Sequence, residues 1–99
     1  MAYEKSVKKV SGKNKGDIFI FALSTCGWCK KTKNLLNSLG VEYSFVDVDL
    51  LEGDARDEAA KDIRKFNPAG SFPTTILNKK ECIVGFQEDR LKEVAQGEK

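Results

Sequence analysis

No histidine occurs anywhere in the 99 residues, and cysteine occurs only three times. The first absence removes a histidine general base, a Cys–His dyad and any metal site that needs an imidazole. Three thiols fall one short of a four-cysteine zinc site, so no metal centre is expected. An odd, low cysteine count also argues against a disulfide-stapled secreted scaffold and for a reducing, cytoplasmic setting. Long apolar runs are missing as well. Nothing approaches the roughly 18 residues of a membrane span. The stretch before Asp17 is basic but lacks the apolar segment of a secretory signal. A membrane is therefore not among the expected partners.

What is present fits one small globular domain: 40% hydrophobic residues, 32% charged, and a length that supports one modest core. The net charge of +2 is unevenly spread. Residues 1–16 hold Lys5, Lys8, Lys9, Lys13 and Lys15 against one acid, Glu4, and end in the polar link Ser11-Gly-Lys-Asn-Lys-Gly16. Such a segment is either a contact for an acidic partner or a solvated extension; the solvated reading is adopted, with no nucleic-acid partner. Tyr3, Val7 and Val10 at i, i+4, i+7 allow a short amphipathic helix there. Residues 1–16 are accordingly set apart as a basic N-terminal extension, and 17–99 as the domain.

The domain is organised around residues 17–33, DIFIFALSTCGWCKKTK. Ile18 to Leu23 suit a buried strand. Ser24 and Thr25 break the run, and Cys26-Gly27-Trp28-Cys29 then opens a helix. There the first Cys meets unpaired backbone N–H groups and the positive end of the helix dipole. Both favour a thiolate, the nucleophile of disulfide exchange. The second Cys lies one turn along, within reach of a mixed disulfide on the first. Cys26 is read as the attacking thiol and Cys29 as the resolving one.

Downstream, Trp28, Thr32, Leu35, Leu36 and Leu39 recur with helical period, Lys30, Lys31, Lys33, Asn34 and Asn37 are assigned to water, and Gly40 closes the helix. Val41 to Leu50 read as a strand. A helix follows from Gly53 to Phe66, its acids early and its bases late, as the dipole prefers. Thr74–Leu77 and Glu81–Val84 form a hairpin around Asn78-Lys79-Lys80, and a last helix covers about Glu88 to Ala95. The expected order is β-α-β-α-β-β-α: a four-stranded mixed sheet flanked by three helices, with the first two strands parallel. Cys82, within the last strand, is expected to be a buried small hydrophobe.

With that order, the chain resembles a glutaredoxin of the thioredoxin fold over residues 17 to about 97. Cys26-Gly27-Trp28-Cys29 stands at the strand–helix junction where that family places its C-x-x-C. Phe72-Pro73 stands where the family has Val and a cis-proline. Val84-Gly85-Phe86, with Asp89, stands where glutaredoxins carry Gly-Gly and a nearby Asp. The resemblance implies a dithiol–disulfide oxidoreductase without a prosthetic group; nothing in the sequence argues against a monomer, which is the expected state. Thr25, Trp28, Phe72, Pro73, Gly85, Phe86 and Asp89 would meet substrate, the backbone of Phe72 pairing with a bound thiol. Partners would be disulfide-containing proteins and a thiol or flavoprotein reductant: glutathione, another low-molecular-weight thiol, or thioredoxin reductase. Phe86, bulky where the second Gly belongs, would crowd a glutathione carboxylate; Gly-Phe is similar instead to redoxins that serve ribonucleotide reductase. The buried acid that thioredoxins carry six residues before the first Cys is replaced by Ile20. Some glutaredoxins hold an iron–sulfur cluster between two protomers, which makes a cluster carrier the alternative function.

Overall fold

The computed structural model describes residues 3–96; the last three residues of the 17–99 domain lie outside this range. Its elements are strand β1 (Lys8–Val10), strand β2 (Ile18–Ala22), helix α1 (Gly27–Leu39), strand β3 (Tyr43–Asp47), helix α2 (Gly53–Phe66), strands β4 (Thr74–Leu77) and β5 (Glu81–Val84), and helix α3 (Glu88–Gln96). From β2 onward this is the expected order. Among the described residues no helix is long and apolar enough to cross a membrane.

β2 lies at the centre of the sheet, parallel to β3 and antiparallel to β4, which continues into β5. Its alternation sorts the core into two layers. Ile18, Ile20 and Ala22 join Cys29, Leu36, Leu91 and Ala95 under α1 and α3. Phe21 joins Val46, Ala59 and Ile63 under α2 on the opposite face. Gly40, at φ 71°, ends α1 by donating its N–H to the Asn37 and Leu36 carbonyls, an arrangement that favours a residue without Cβ. Asn78 and Lys79, both at positive φ, make the β4–β5 turn.

The sheet has five strands, not the expected four. The order is β1-β3-β2-β4-β5, and the added strand comes from the basic segment, antiparallel to β3 with Lys8 opposite Phe45 and Val10 opposite Tyr43. A single 3₁₀ turn, Glu4–Ser6, stands where the amphipathic helix was expected. The apolar spacing belongs instead to a chain that crosses the sheet edge: Tyr3 and Val7 pack in the α2 layer, while Val10 packs in the α1 layer. The polar link is tied down as well. The Lys13 N–H donates to the Gly40 carbonyl and its carbonyl accepts from the Glu42 N–H, each at 2.9 Å. A Cβ on Gly12 would come within 2.7 Å of the Val41 carbonyl carbon, so glycine is required for this approach.

Tyr3 anchors the strap. Its ring is buried edge-on to Phe21 at 5.9 Å, and its hydroxyl donates to Asp62 on α2. Burial and this carboxylate push the phenol well above its ordinary range. Tyr3→Ala is expected to cost about 2–4 kcal/mol in urea unfolding, less than for a deep core ring because the strap can settle into the space. A loss below about 0.5 kcal/mol, the usual effect of a surface change, would show that the strap is not integral to the fold.

Candidate active site

β2 delivers the chain to the end of the sheet, and the chain must turn there to start α1. Two hydrogen bonds hold that turn: the Cys26 N–H donates to the Leu23 carbonyl at 3.1 Å, and the Lys30 N–H to the Cys26 carbonyl at 3.1 Å. Cys26, in extended conformation, is the N-cap of α1, and its sulfur accepts the Cys29 N–H at 3.2 Å. The sulfur thus takes the place of a capping oxygen and faces the positive end of the helix. Cys26 is half-buried and Cys29 fully buried, both as free thiols. Burial first, and then the hydrogen bond to Cys26, push the Cys29 thiol up to about 12. An accessible sulfur at a helix N-terminus with a buried, protonated thiol one turn behind it can attack a disulfide and then be relieved by its neighbour.

The Phe72–Pro73 bond is cis, as the resemblance implied. Pro73 is buried, and its carbonyl accepts the Gly85 N–H at 2.9 Å, which ties the loop after β5 to the proline. Phe86 then stacks on Trp28 with ring centroids 5.8 Å apart, and the Lys31 ammonium lies 4.5 Å from the Trp28 ring centroid. Trp28 is 56% exposed, as a residue that meets substrate must be, although its spacing also fits the helical stripe. The buried side of α1 is Cys29, Thr32 and Leu36. Among the expected substrate residues, Trp28 with Phe86, and Phe72-Pro73 with Gly85, are brought together. Thr25 is exposed in the turn before Cys26, and Asp89 is exposed in the first turn of α3, outside these contacts. Cys82 is half-buried rather than buried, because β5 is an edge strand. It packs in the α2 layer, with the sheet between it and Cys29, and burial raises its thiol. This placement removes it from exchange with the C-x-x-C pair.

Several residues that build the site carry no motif. Asp49 receives the Ser24 N–H at 2.8 Å and the Ser24 hydroxyl at 2.6 Å, pinning the turn before Cys26; these bonds hold its carboxyl below the ordinary range. Asn67 ends α2, and its amide donates to the Ser71 hydroxyl at 3.1 Å and to Thr74 Oγ1 at 3.0 Å, bracing the loop that carries Phe72-Pro73. Lys33, assigned to water, is largely covered: it pairs with Asp47 at 3.4 Å and lies 3.8 Å from the Phe45 ring centroid. Leu23 and Phe72 flank a cleft of about 220 Å³ that Asp49, Arg56 and Arg64 also line. The order of charges along α2 pointed to Arg64 alone; Arg56, in the first turn, runs against that order and carried no signal.

A family model described as Glutaredoxin matches residues 18–82. Among solved structures, methanoredoxin from Methanosarcina acetivorans is 49% identical, with a TM-score of 0.87 over 91% of this chain and 96% of its own. A glutaredoxin from Methanosarcina mazei is 48% identical, with a TM-score of 0.85 over 93% and 89% of the two chains. A glutaredoxin from Archaeoglobus fulgidus is 29% identical, with a TM-score of 0.75 over 83% and 88%.

Proposed function

The chain belongs to the glutaredoxin family of thiol–disulfide oxidoreductases, and we propose that it works by a dithiol cycle in which Cys26 attacks and Cys29 resolves. The carrying observation is the division of labour between the two sulfurs. Cys26 takes the N–H at the start of α1 and is open to substrate, whereas Cys29 is sealed behind it and held protonated. The Cys26 thiolate attacks a substrate disulfide, releasing one thiol and leaving the other substrate sulfur bonded to Cys26. Cys29 then displaces that sulfur and closes the Cys26–Cys29 disulfide, which a reductant reopens in a reducing compartment.

The surroundings of Cys26 favour a small anionic thiol as that reductant. On one side the Trp28–Phe86 stack fills space that a family Gly-Gly pair would leave open. On the other, the cleft beside Leu23 and Phe72 presents Arg56 and Arg64 against one carboxylate, Asp49, which Ser24 already engages; the guanidinium forks in excess suit a carboxylate or sulfonate. Trp28 is the single tryptophan, so its fluorescence reports the state of the adjacent disulfide. Starting from the oxidised protein, thioglycolate should reduce it about fivefold faster than 2-mercaptoethanol after correction for thiol pKa. That is about 1 kcal/mol of charge steering. The Arg56→Gln/Arg64→Gln double variant should abolish the difference. Equal rates with both thiols in the native chain would sink the anionic-thiol assignment.

A further inference from the structure

The dithiol cycle leaves one step without an evident helper. Cys29 must give up a proton in a dry layer, and Ile20, six residues before Cys26, is fully buried there and offers no acid or base. The strand end beside it supplies something else. Asp47 is the last residue of β3 and pairs in register with Ala22, the last residue of β2 before the active-site turn. Lys33 lies one helical turn after Cys29, on the same side of α1. Its ammonium reaches Asp47 at 3.4 Å, with side-chain exposures of only 19% and 16%. The lysine's amine also lies 3.8 Å from the ring centroid of Phe45, which packs in the layer holding Cys29 and Ala22. The ion pairs Lys9–Glu42, Lys65–Asp62 and Lys92–Glu88 are far more open.

A pair so covered is poorly explained by stability. Two desolvated charges seldom gain more from each other than they lose from water, and apolar replacements of similar size are often neutral or stabilising. The placement therefore calls for a use of the charge itself.

We propose that the Lys33–Asp47 pair is a positioning device for the resolving step, holding a cation one turn from Cys29 to favour its thiolate during attack on the Cys26 mixed disulfide. This rests on the dithiol reading and deepens it. In that step the Cys29 sulfur forms a bond to the Cys26 sulfur, and the bond from Cys26 to the substrate sulfur breaks. The electron pair of that bond leaves on the substrate thiolate, which takes up the proton lost by Cys29. The two protein thiols are oxidised by two electrons and the substrate disulfide is reduced by two. Lys33 enters no bond. Asp47 fixes where its charge sits, and Phe45 keeps the ammonium from swinging out to water. The direction of its effect on Cys29 agrees: the Lys33 charge works against the burial that raises that thiol.

The test separates the two sulfurs. Mixed with Ellman's reagent, the reduced chain, carrying Cys82→Ala in every preparation to remove the third thiol, should release thionitrobenzoate in two phases, first from attack by Cys26 and then from resolution by Cys29. Lys33→Met should leave the first phase within about twofold and slow the second by about three- to tenfold, since the greater nucleophilicity of a more basic thiol offsets only part of the lost thiolate. Lys33→Arg, which keeps the charge, should restore the second phase. Lys33→Met/Asp47→Leu, with no half-buried charge left unpaired, should fold as well as the native chain and still resolve slowly. A native-rate second phase in Lys33→Met, or an equal loss in Lys33→Arg, would overturn the assignment while leaving the dithiol cycle standing. Absence of the first phase in the native chain would overturn the cycle itself, and this inference with it.

Discussion

Cys26→Ser should reduce disulfide turnover by at least about 10³-fold, because a serine hydroxyl cannot serve as the thiolate nucleophile of disulfide exchange. The fold should be untouched. Cys26 caps α1 by accepting the Cys29 N–H, and a serine oxygen is among the preferred acceptors at that position. Unfolding free energy is therefore expected to stay within about 0.5 kcal/mol of the native value, or to rise. This combination, chemistry lost with stability kept, separates a catalytic sulfur from a structural one. The measurement is kcat/KM for a small disulfide in an NADPH-coupled assay, with urea unfolding of the same preparation. Residual activity above about a tenth of native would mean that another sulfur attacks. Cys82 is a poor candidate, since the sheet separates it from Cys29 and its thiol is raised by burial.

The sequence disclosed the elements whose signals are local. The C-x-x-C after an apolar run, Gly40 at the helix end, Phe72-Pro73 before β4 and the turn at Asn78-Lys79 each encode a backbone conformation in one or two residues, and the structure places each of them so. The order from β2 to α3 follows from those signals and from period alone. What stayed hidden depends on pairing across long separations. β1 is three residues long with one apolar residue, too short for a strand pattern, and the apolar residues of its segment, Tyr3, Val7 and Val10, divide between two faces of the sheet, so a helical spacing imitated it. Lys33 reads as solvated because lysine usually is. Only the register that sets Asp47 beside Ala22 shows where its charge goes.

The same reasoning explains the residues that support the site. Ser24 is held by an Asp49 carboxylate 25 positions away, and Asn67 reaches across its loop to Thr74. Neither contact has a spacing that a linear reading could weigh. Both place polar partners under loops that carry reactive groups, where a loosened backbone would move Cys26 or Pro73. The arginines of α2 belong with them. They acquire meaning once Leu23 and Phe72 are seen to form the other wall of their cleft.

Cys29→Ser should convert the cycle into a trap. Cys26 keeps its helix N-terminus and attacks as before, but no thiol stands behind it to displace the substrate sulfur. Incubated with a disulfide-bonded protein substrate, this variant should accumulate a covalent complex approaching one substrate chain per molecule. The native chain should show almost none, because its resolving thiol is intramolecular and acts at an effective concentration far above any competing thiol. The buried serine hydroxyl costs about 1–2 kcal/mol unless it donates to the Cys26 sulfur as the thiol does, so the variant should remain folded at room temperature. Non-reducing mass spectrometry of the quenched mixture reads the result. A full-yield adduct that also carries Cys26→Ser would place the bond on the wrong sulfur. No adduct with Cys26 intact would show that Cys29, despite its burial and its raised thiol, makes the first attack, and the assigned roles would be reversed.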